Sequence, residues 1–148
     1  MDVDHLGEIR NSVDLFIRES AEKFDGPGKV MLDVAPQDWL GAAQFFKQSN
    51  IETLDIDPNA TATYIADLTQ NNSNKITDNR FDIVLCTEVL EHVLQPFDAV
   101  DEIHRILKPG GVALITTPYN FRIHGPLPDC WRFTEHGLRA LFSKGFEV

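Results

Sequence analysis

Long apolar runs, cysteine pairs and positive charge are what this chain has least of. No apolar stretch in its 148 residues reaches the ~18 consecutive residues expected of a membrane-spanning helix. The amino terminus lacks a basic segment followed by an apolar one, so neither a secretory leader nor a membrane partner is expected. Only two cysteines occur, Cys86 and Cys130, which excludes a disulfide-stapled scaffold. Cys86 lies in an apolar run and reads as a small core residue, and a reducing, cytoplasmic setting is the expectation. The 13 Lys and Arg against 23 Asp and Glu leave a formal net charge of −10. Such a surface repels phosphate backbones, whose neutralisation by cations supplies most non-specific affinity, so no nucleic acid is expected as a partner. A neutral or cationic small molecule, a sugar or glycan, or a protein is easier to accommodate.

What is present is an ordinary globular balance, 43% apolar and 24% charged, in a length that suits one domain. Residues 1–28 read as an amino-terminal helix and linker, and residues 29–148 as the main unit. The first 24 residues carry Ile9, Val13, Phe16, Ile17 and Phe24 on one helical stripe, and Asp25-Gly26-Pro27-Gly28 breaks it. A strand is expected over Lys29–Val34, a helix over Gly41–Gln48, a second strand over Ile51–Ile56 and a short third over Thr63–Ala66. The polar stretch Thr69–Lys75 reads as a loop.

The most informative segment runs from Phe81 to Gly111. Phe81–Cys86 is an apolar, β-branched run of the kind found in strands covered on both faces. Thr87-Glu88-Val89-Leu90-Glu91-His92 then places polar groups where open α/β sheets hold ligands, outside the carboxyl ends of the strands. From Pro96 the period changes, and Phe97, Val100, Ile103, Ile106 and Leu107 share one helical face. Lys108-Pro109-Gly110-Gly111 ends that helix, and Val112–Thr117 is a fifth strand. A long Pro- and aromatic-rich connection over 121–132 follows, of a length usually reserved for lids and binding loops. A last helix is expected over Thr134–Ser143, and Gly145–Val148 as the opening of a sixth strand. Strands alternating with helices imply a doubly wound, mostly parallel α/β sheet.

The segment from Phe81 to Gly111 resembles the second half of a class I S-adenosylmethionine-dependent methyltransferase, and the resemblance covers Lys29 to Val148. It implies a Rossmann-like fold, a short form in which the carboxyl-terminal edge hairpin is missing or truncated. The edge left uncovered would be open to self-association, so a homo-oligomer is expected there. Val30-Met31-Leu32-Asp33-Val34 matches the apolar strand and acidic residue of the family's first motif. The glycine turn that should follow is degenerate, with Ala35, Gln37 and Trp39 at the glycine positions. Holding ordinary residues in that geometry costs roughly 1–3 kcal/mol each, so the loop takes a different path or has lost the cofactor.

The resemblance assigns Asp33, Ala35, Asp55, Asp57, Asp67, Leu68 and Glu88 to the cofactor S-adenosylmethionine. Asp55 stands 22 residues after Asp33, the spacing at which a carboxylate receives ribose hydroxyls in nucleotide-binding βαβ units. Asp67 would receive the adenine amino group, with Leu68 packing on the ring. The alternative is that Asp55 and Asp57 form turns and Asp67 caps a helix. A nicotinamide dehydrogenase is disfavoured more strongly, because its pyrophosphate needs the glycine turn.

On the chemical side the resemblance implies His92, Glu88 and His124 as catalytic candidates. Glu88-x-x-Glu91-His92 is similar to the metal-binding sequence of small-RNA 2′-O-methyltransferases and ubiquinone-pathway O-methyltransferases. A divalent metal on Glu88, Glu91 and His92, with His124 completing the set, is therefore an option rather than the expectation. The same motif occurs in metal-free members, where its residues fix the turn. Trp131 and Phe133 are expected to anchor the long connection, leaving Tyr119, Arg122 and His124 toward the substrate. Arg122 or Arg132 would pair with an acidic acceptor or with Asp129. The expected function is O-methylation of a small molecule or sugar. The alternatives are a non-catalytic homologue acting as a binding or regulatory partner, and a nucleic-acid methyltransferase.

Overall fold

The computed structural model describes residues 2–36, 41–126 and 128–148. Five strands form one sheet: β1 (Val30–Val34), β2 (Asn50–Asp55), β3 (Tyr64–Ile65), β4 (Phe81–Thr87) and β5 (Leu107–Thr116). Their spatial order is β3-β2-β1-β4-β5, and every described strand pairing is parallel. Among the described residues three α-helices accompany them: α1 (Asp2–Phe24), α2 (Pro96–Ile106) and α3 (Glu135–Leu141).

Alternation along the strands sends side chains to two separate cores. Met31, Ile83, Leu85 and Leu114 face Ile17 and Ala21 of α1, together with Ala42 and Phe46. Leu32, Val34, Val84 and Cys86 face Val100, Ile103 and Ile106 of α2 and Leu141 and Phe142 at the end of α3. The sheet is thus covered on both faces, as its continuous apolar strands require. None of the described helices is long and apolar enough to cross a membrane.

Four expectations need correction. Over Gly41–Gln48 only a 3-10 turn forms, at Gly41–Gln44. The amides of Lys47 and Gln48 bond Asp25 Oδ2 at 2.7 and 3.0 Å, and that of Ser49 bonds Asp25 Oδ1 at 2.8 Å, so they are withdrawn from any helical ladder. Phe97 does not join the buried face of α2 and is 64% exposed, because Pro96 and Ala99 fill the inward positions of that first turn. Lys108–Gly111 belongs to β5, as an irregularity between the Phe81–Leu107 and Ile83–Val112 pairings. Gly145–Val148 forms no sixth strand; Phe146 instead packs edge-on against Phe142 and His104.

Thr134 caps α3 as its sequence suggested, accepting from the Gly137 amide at 3.0 Å. β5 pairs with β4 alone and forms one edge of the sheet, and β3 forms the other.

Candidate functional site

The carboxyl ends of β1, β2 and β4 bring most of the expected residues to one end of the sheet. Asp33 closes β1, 4% exposed, and its Oδ2 accepts from the Ala42 amide at 2.8 Å. Burial pushes its carboxyl up to about 6, against the lowering effect of that bond. Ala35 follows with φ of 52°, a left-handed backbone that side chains rarely adopt. Its amide still donates to Leu54 O at 2.7 Å, which carries the β1–β2 ladder one step past the strand. The backbone at Ala35 therefore takes a conformation natural to glycine without having one. Gln37 and Trp39, the other two glycine positions, lie outside the described residues.

Asp55 ends β2, 8% exposed, and Oδ1 accepts from the Asp57 amide at 2.9 Å. Asp57 Oδ1 accepts from the Asn59 amide at 2.8 Å, and Asp67 Oδ1 from the Thr69 amide at 2.8 Å. All three carboxylates thus make the local turn bonds that the alternative reading described, though no helix follows Asp67 for it to cap. Leu68 is buried in the α2-side core. Sequence reasoning passed over Ile56, which is 67% exposed directly beside Asp55. The sequence offered only an apolar residue between two acidic ones at the strand end, Asp55-Ile56-Asp57.

At the end of β4 a second left-handed residue appears, Glu88, with φ of 53°. Its amide donates to Thr116 O at 3.0 Å and its Oε1 accepts from Thr116 Oγ1 at 2.9 Å, so β5 sets its position. Burial raises the Glu88 carboxyl, and the Thr116 bond and the nearby His124, His92 and Arg132 pull the other way. A 3-10 turn at Leu90–His92 then carries Glu91 inward. Glu91 is fully buried, and among the described residues neither carboxylate oxygen has a hydrogen-bond partner. Burial pushes it up to about 8, with the Glu88 charge adding to the rise. His92 Nε2 lies 3.7 Å from Glu91 Oε1, and the His92 and His124 rings stand edge to face with centroids 5.0 Å apart.

Glu91, His92 and His124 each offer a ligand atom, all within 4.8 Å of one another. That grouping includes His124 and omits Glu88, whose side chain is tied to Thr116. One bare carboxylate with two imidazoles suits a divalent transition ion chemically.

The long connection folds back over this turn. Glu91 O accepts from the amides of Cys130 and Trp131 at 2.7 and 3.1 Å, and Trp131 Nε1 donates to Val93 O at 2.8 Å. Phe133 stacks on Trp131 and packs against the α2-side core, as expected, whereas Trp131 is 42% exposed and is tied to the turn through Val93 O rather than into the core. Tyr119 is 70% exposed. Arg132 pairs with Asp129 at 2.6 Å, one of the two partners open to it from sequence. Two clefts of about 410 and 260 Å³ lie elsewhere, the first along α1 by Arg18, Asp25 and Lys47, the second by Asn71, Asp98 and Arg105. Neither contains the groups just described.

A parallel sheet of order β3-β2-β1-β4-β5, with carboxylates at the ends of β1, β2 and β4, defines a Rossmann-like methyltransferase fold. The family model of a methyltransferase domain matches residues 15–145, and the chain belongs to that family, whose members are class I S-adenosylmethionine-dependent methyltransferases. It is 32% identical over 103 residues to a mitochondrial ubiquinone biosynthesis O-methyltransferase of Dictyostelium discoideum, covering 68% of this chain and 31% of that protein. A ubiquinone biosynthesis O-methyltransferase of Pseudomonas paraeruginosa is 45% identical over 38 residues, 26% of this chain and 16% of that one. The chain thus spans about a third or less of the curated relatives it matches. The crystal structure of an S-adenosylmethionine-dependent methyltransferase from Aquifex aeolicus superposes with a TM-score of 0.63 at 14% identity, covering 87% of this chain and 78% of that one.

Proposed function

We propose that this chain binds S-adenosylmethionine and carries the methyl-transfer centre for a hydroxyl acceptor, a small molecule or a sugar. The observation that carries the reading is the pairing of two half-sites on adjacent strands. Ala35 and Asp55 stand at the ends of β1 and β2, and Glu88, Glu91 and His92 at and beyond the end of β4. On the first side the residues present fit the cofactor. Asp55 is an acceptor for a diol, Ile56 is an open apolar platform for a ring, and Ala35 holds the turn in the glycine-like path. Bound there, the cofactor would supply an electrophilic methyl group on a sulfonium, whose departure needs no acid.

The chain's own residues then have two tasks, orientation and proton removal. His92 would take the acceptor's proton at Nε2, which lies beside the Glu91 carboxyl. Glu88, held by Thr116, presents its carboxyl toward the same space as the two imidazoles. The names of the ubiquinone relatives support oxygen as the acceptor atom. The net charge of −10 supports a non-nucleic-acid acceptor, and the two free thiols suit a reducing, cytoplasmic compartment. The open β5 edge supports pairing with a second copy.

A second reading is favoured by one observation, the two Glu91 oxygens that have no hydrogen-bond partner among the described residues. A buried carboxylate without partners is costly, and a divalent ion shared with His92 and His124 would relieve it.

Calorimetric titration of the purified chain with S-adenosylhomocysteine tests the first reading. Micromolar binding that weakens about 10- to 100-fold in Asp55→Ala supports it, the size expected for losing hydrogen bonds to a charged group. Absence of binding at millimolar ligand overturns it in favour of a non-catalytic homologue. Titration with Mn²⁺, repeated on Glu91→Gln, tests the second.

A further inference from the structure

The segment just after the site, residues 128–132, contacts both candidate histidines, and each contact constrains where the ring proton sits. His92 Nδ1 lies 3.0 Å from Pro128 O. A carbonyl oxygen only accepts, so that nitrogen must carry the proton. His124 Nδ1 lies 3.1 Å from Asp129 Oδ2. The Asp129 side chain is shielded from solvent, and Arg132 holds it well below the usual carboxylate range, so it too can only accept.

One contact argues the other way. Arg132 Nη2 is 3.5 Å from His124 Nδ1, and a guanidinium cannot accept. Counting its protons removes the conflict. Nη2 donates to Asp129 Oδ2 and to Arg122 O, both at 2.8 Å. Nη1 donates to Asp129 Oδ1 at 2.6 Å and to Trp131 O at 2.7 Å, and Nε donates to Phe121 O at 3.1 Å. All five donors are occupied, and none remains for the imidazole.

We propose that Asp129 and Arg132 are positioning residues that hold His124 as its Nδ1–H tautomer, while Pro128 O does the same for His92, so that both rings keep a bare Nε2. Arg132 ties Phe121, Arg122 and Trp131 by their carbonyls and fixes the Asp129 carboxylate. Asp129 in turn grips His124 twice, at its ring and at its backbone amide, 2.8 Å from Oδ2. A bare Nε2 is what a proton acceptor or an ion ligand needs, so the device serves either chemistry set out above. It deepens that reading and depends on it only for its purpose; the tautomers themselves are measurable without turnover.

The test is long-range proton–nitrogen correlation NMR on the ¹⁵N-labelled chain, with chelator present, at a pH where the imidazoles are neutral. His92→Gln and His124→Gln assign the two rings among the five histidines. Both should show a protonated Nδ1 and a bare Nε2. In Asp129→Asn the amide offers His124 a donor, so its two nitrogen signals should exchange order or merge to an average, with those of His92 unmoved. A protonated Nε2 on either ring of the unaltered chain overturns the proposal, and needs no variant to fold. An unchanged His124 pattern in Asp129→Asn, with only a lower melting temperature, makes Asp129 a structural tether and overturns it as well. Failure to bind S-adenosylhomocysteine would leave these tautomers intact, so the two readings fall separately.

Discussion

Asp33 and Gly41 claim the same space: the Asp33 Oδ2 that accepts from Ala42 stands where a Cβ on residue 41 would be. Gly41 also has φ of 53°. The first glycine after β1 is therefore required, though it comes later than the family motif would put it. Gly41→Ala should destabilise the chain by about 1–3 kcal/mol, from backbone strain and displacement of a buried carboxylate. A urea midpoint equal to that of the unaltered chain would refute this.

Ala35 presents the opposite case, a side chain where glycine would be at ease. Ala35→Gly removes left-handed strain of about 1–2 kcal/mol and adds unfolded-state freedom of about 0.4–1 kcal/mol. The net change should be neutral to slightly stabilising, whereas a glycine inside a helix or strand ordinarily costs stability. Ala35→Val should cost more than either. Denaturant midpoints of the three proteins give the order directly.

Stability should fall as pH rises through the neutral range. Burial raises Asp33 from 3.8 to about 6 and Glu91 from 4.5 to about 8. Each favours the protonated, folded state, so the stability they lend is complete below about pH 4 and lost as pH climbs through 6 and then 8. Asp25 behaves in reverse. Burial lifts it, but Ser49 and the amides of Lys47, Gln48 and Ser49 outweigh that and hold it at about 2. Its share is present above 3.8 and lost as pH falls through 2. The metal-free chain should therefore be most stable near pH 4, with stability declining from there to about pH 8. Glu91→Gln should abolish the upper part of the decline in a melting-temperature series, and a maximum above pH 8 would contradict the whole account.

Trp131→Phe keeps the stack on Phe133 and removes the bond to Val93 O. The loss should be about 0.5–1.5 kcal/mol. Hydrogen exchange should quicken at Cys130 and Trp131, whose amides bond Glu91 O, before it quickens in β4. Uniform acceleration would mean the connection is not separately anchored.

The sheet was legible because β1 and β4, its central strands, are buried and read as apolar runs. All five were anticipated, with ends displaced by a residue or two, apart from β5, whose start lies earlier. What escaped was set by contacts distant in sequence. Nothing in Lys47-Gln48-Ser49 announces that Asp25 will take three amides and shorten a helix. Lys108–Gly111 looks like a loop until β4 pairs on both sides of it. In the site, spacing from Asp33 supported Asp55 alone, and the acidic positions were read from the family resemblance. The burial of Glu91 was not, since Glu91 carries no local mark that distinguishes it from Glu88. Asp129 and Arg132, three residues apart, were visible as a pair, but their grip on His124 depends on the connection doubling back.

The Arg132 hub also bears on how such a site changes over evolutionary time. Its tie points are mostly main-chain carbonyls, at Phe121, Arg122 and Trp131, and a carbonyl is supplied by any residue. An exposed side chain in this span that makes none of these bonds, such as that of Ile123, can therefore drift while the frame stays. Ile123, 77% exposed within that span, sits where novelty is cheapest. A randomised library at Ile123, with His124, Asp129 and Arg132 kept, should leave the melting temperature nearly unchanged.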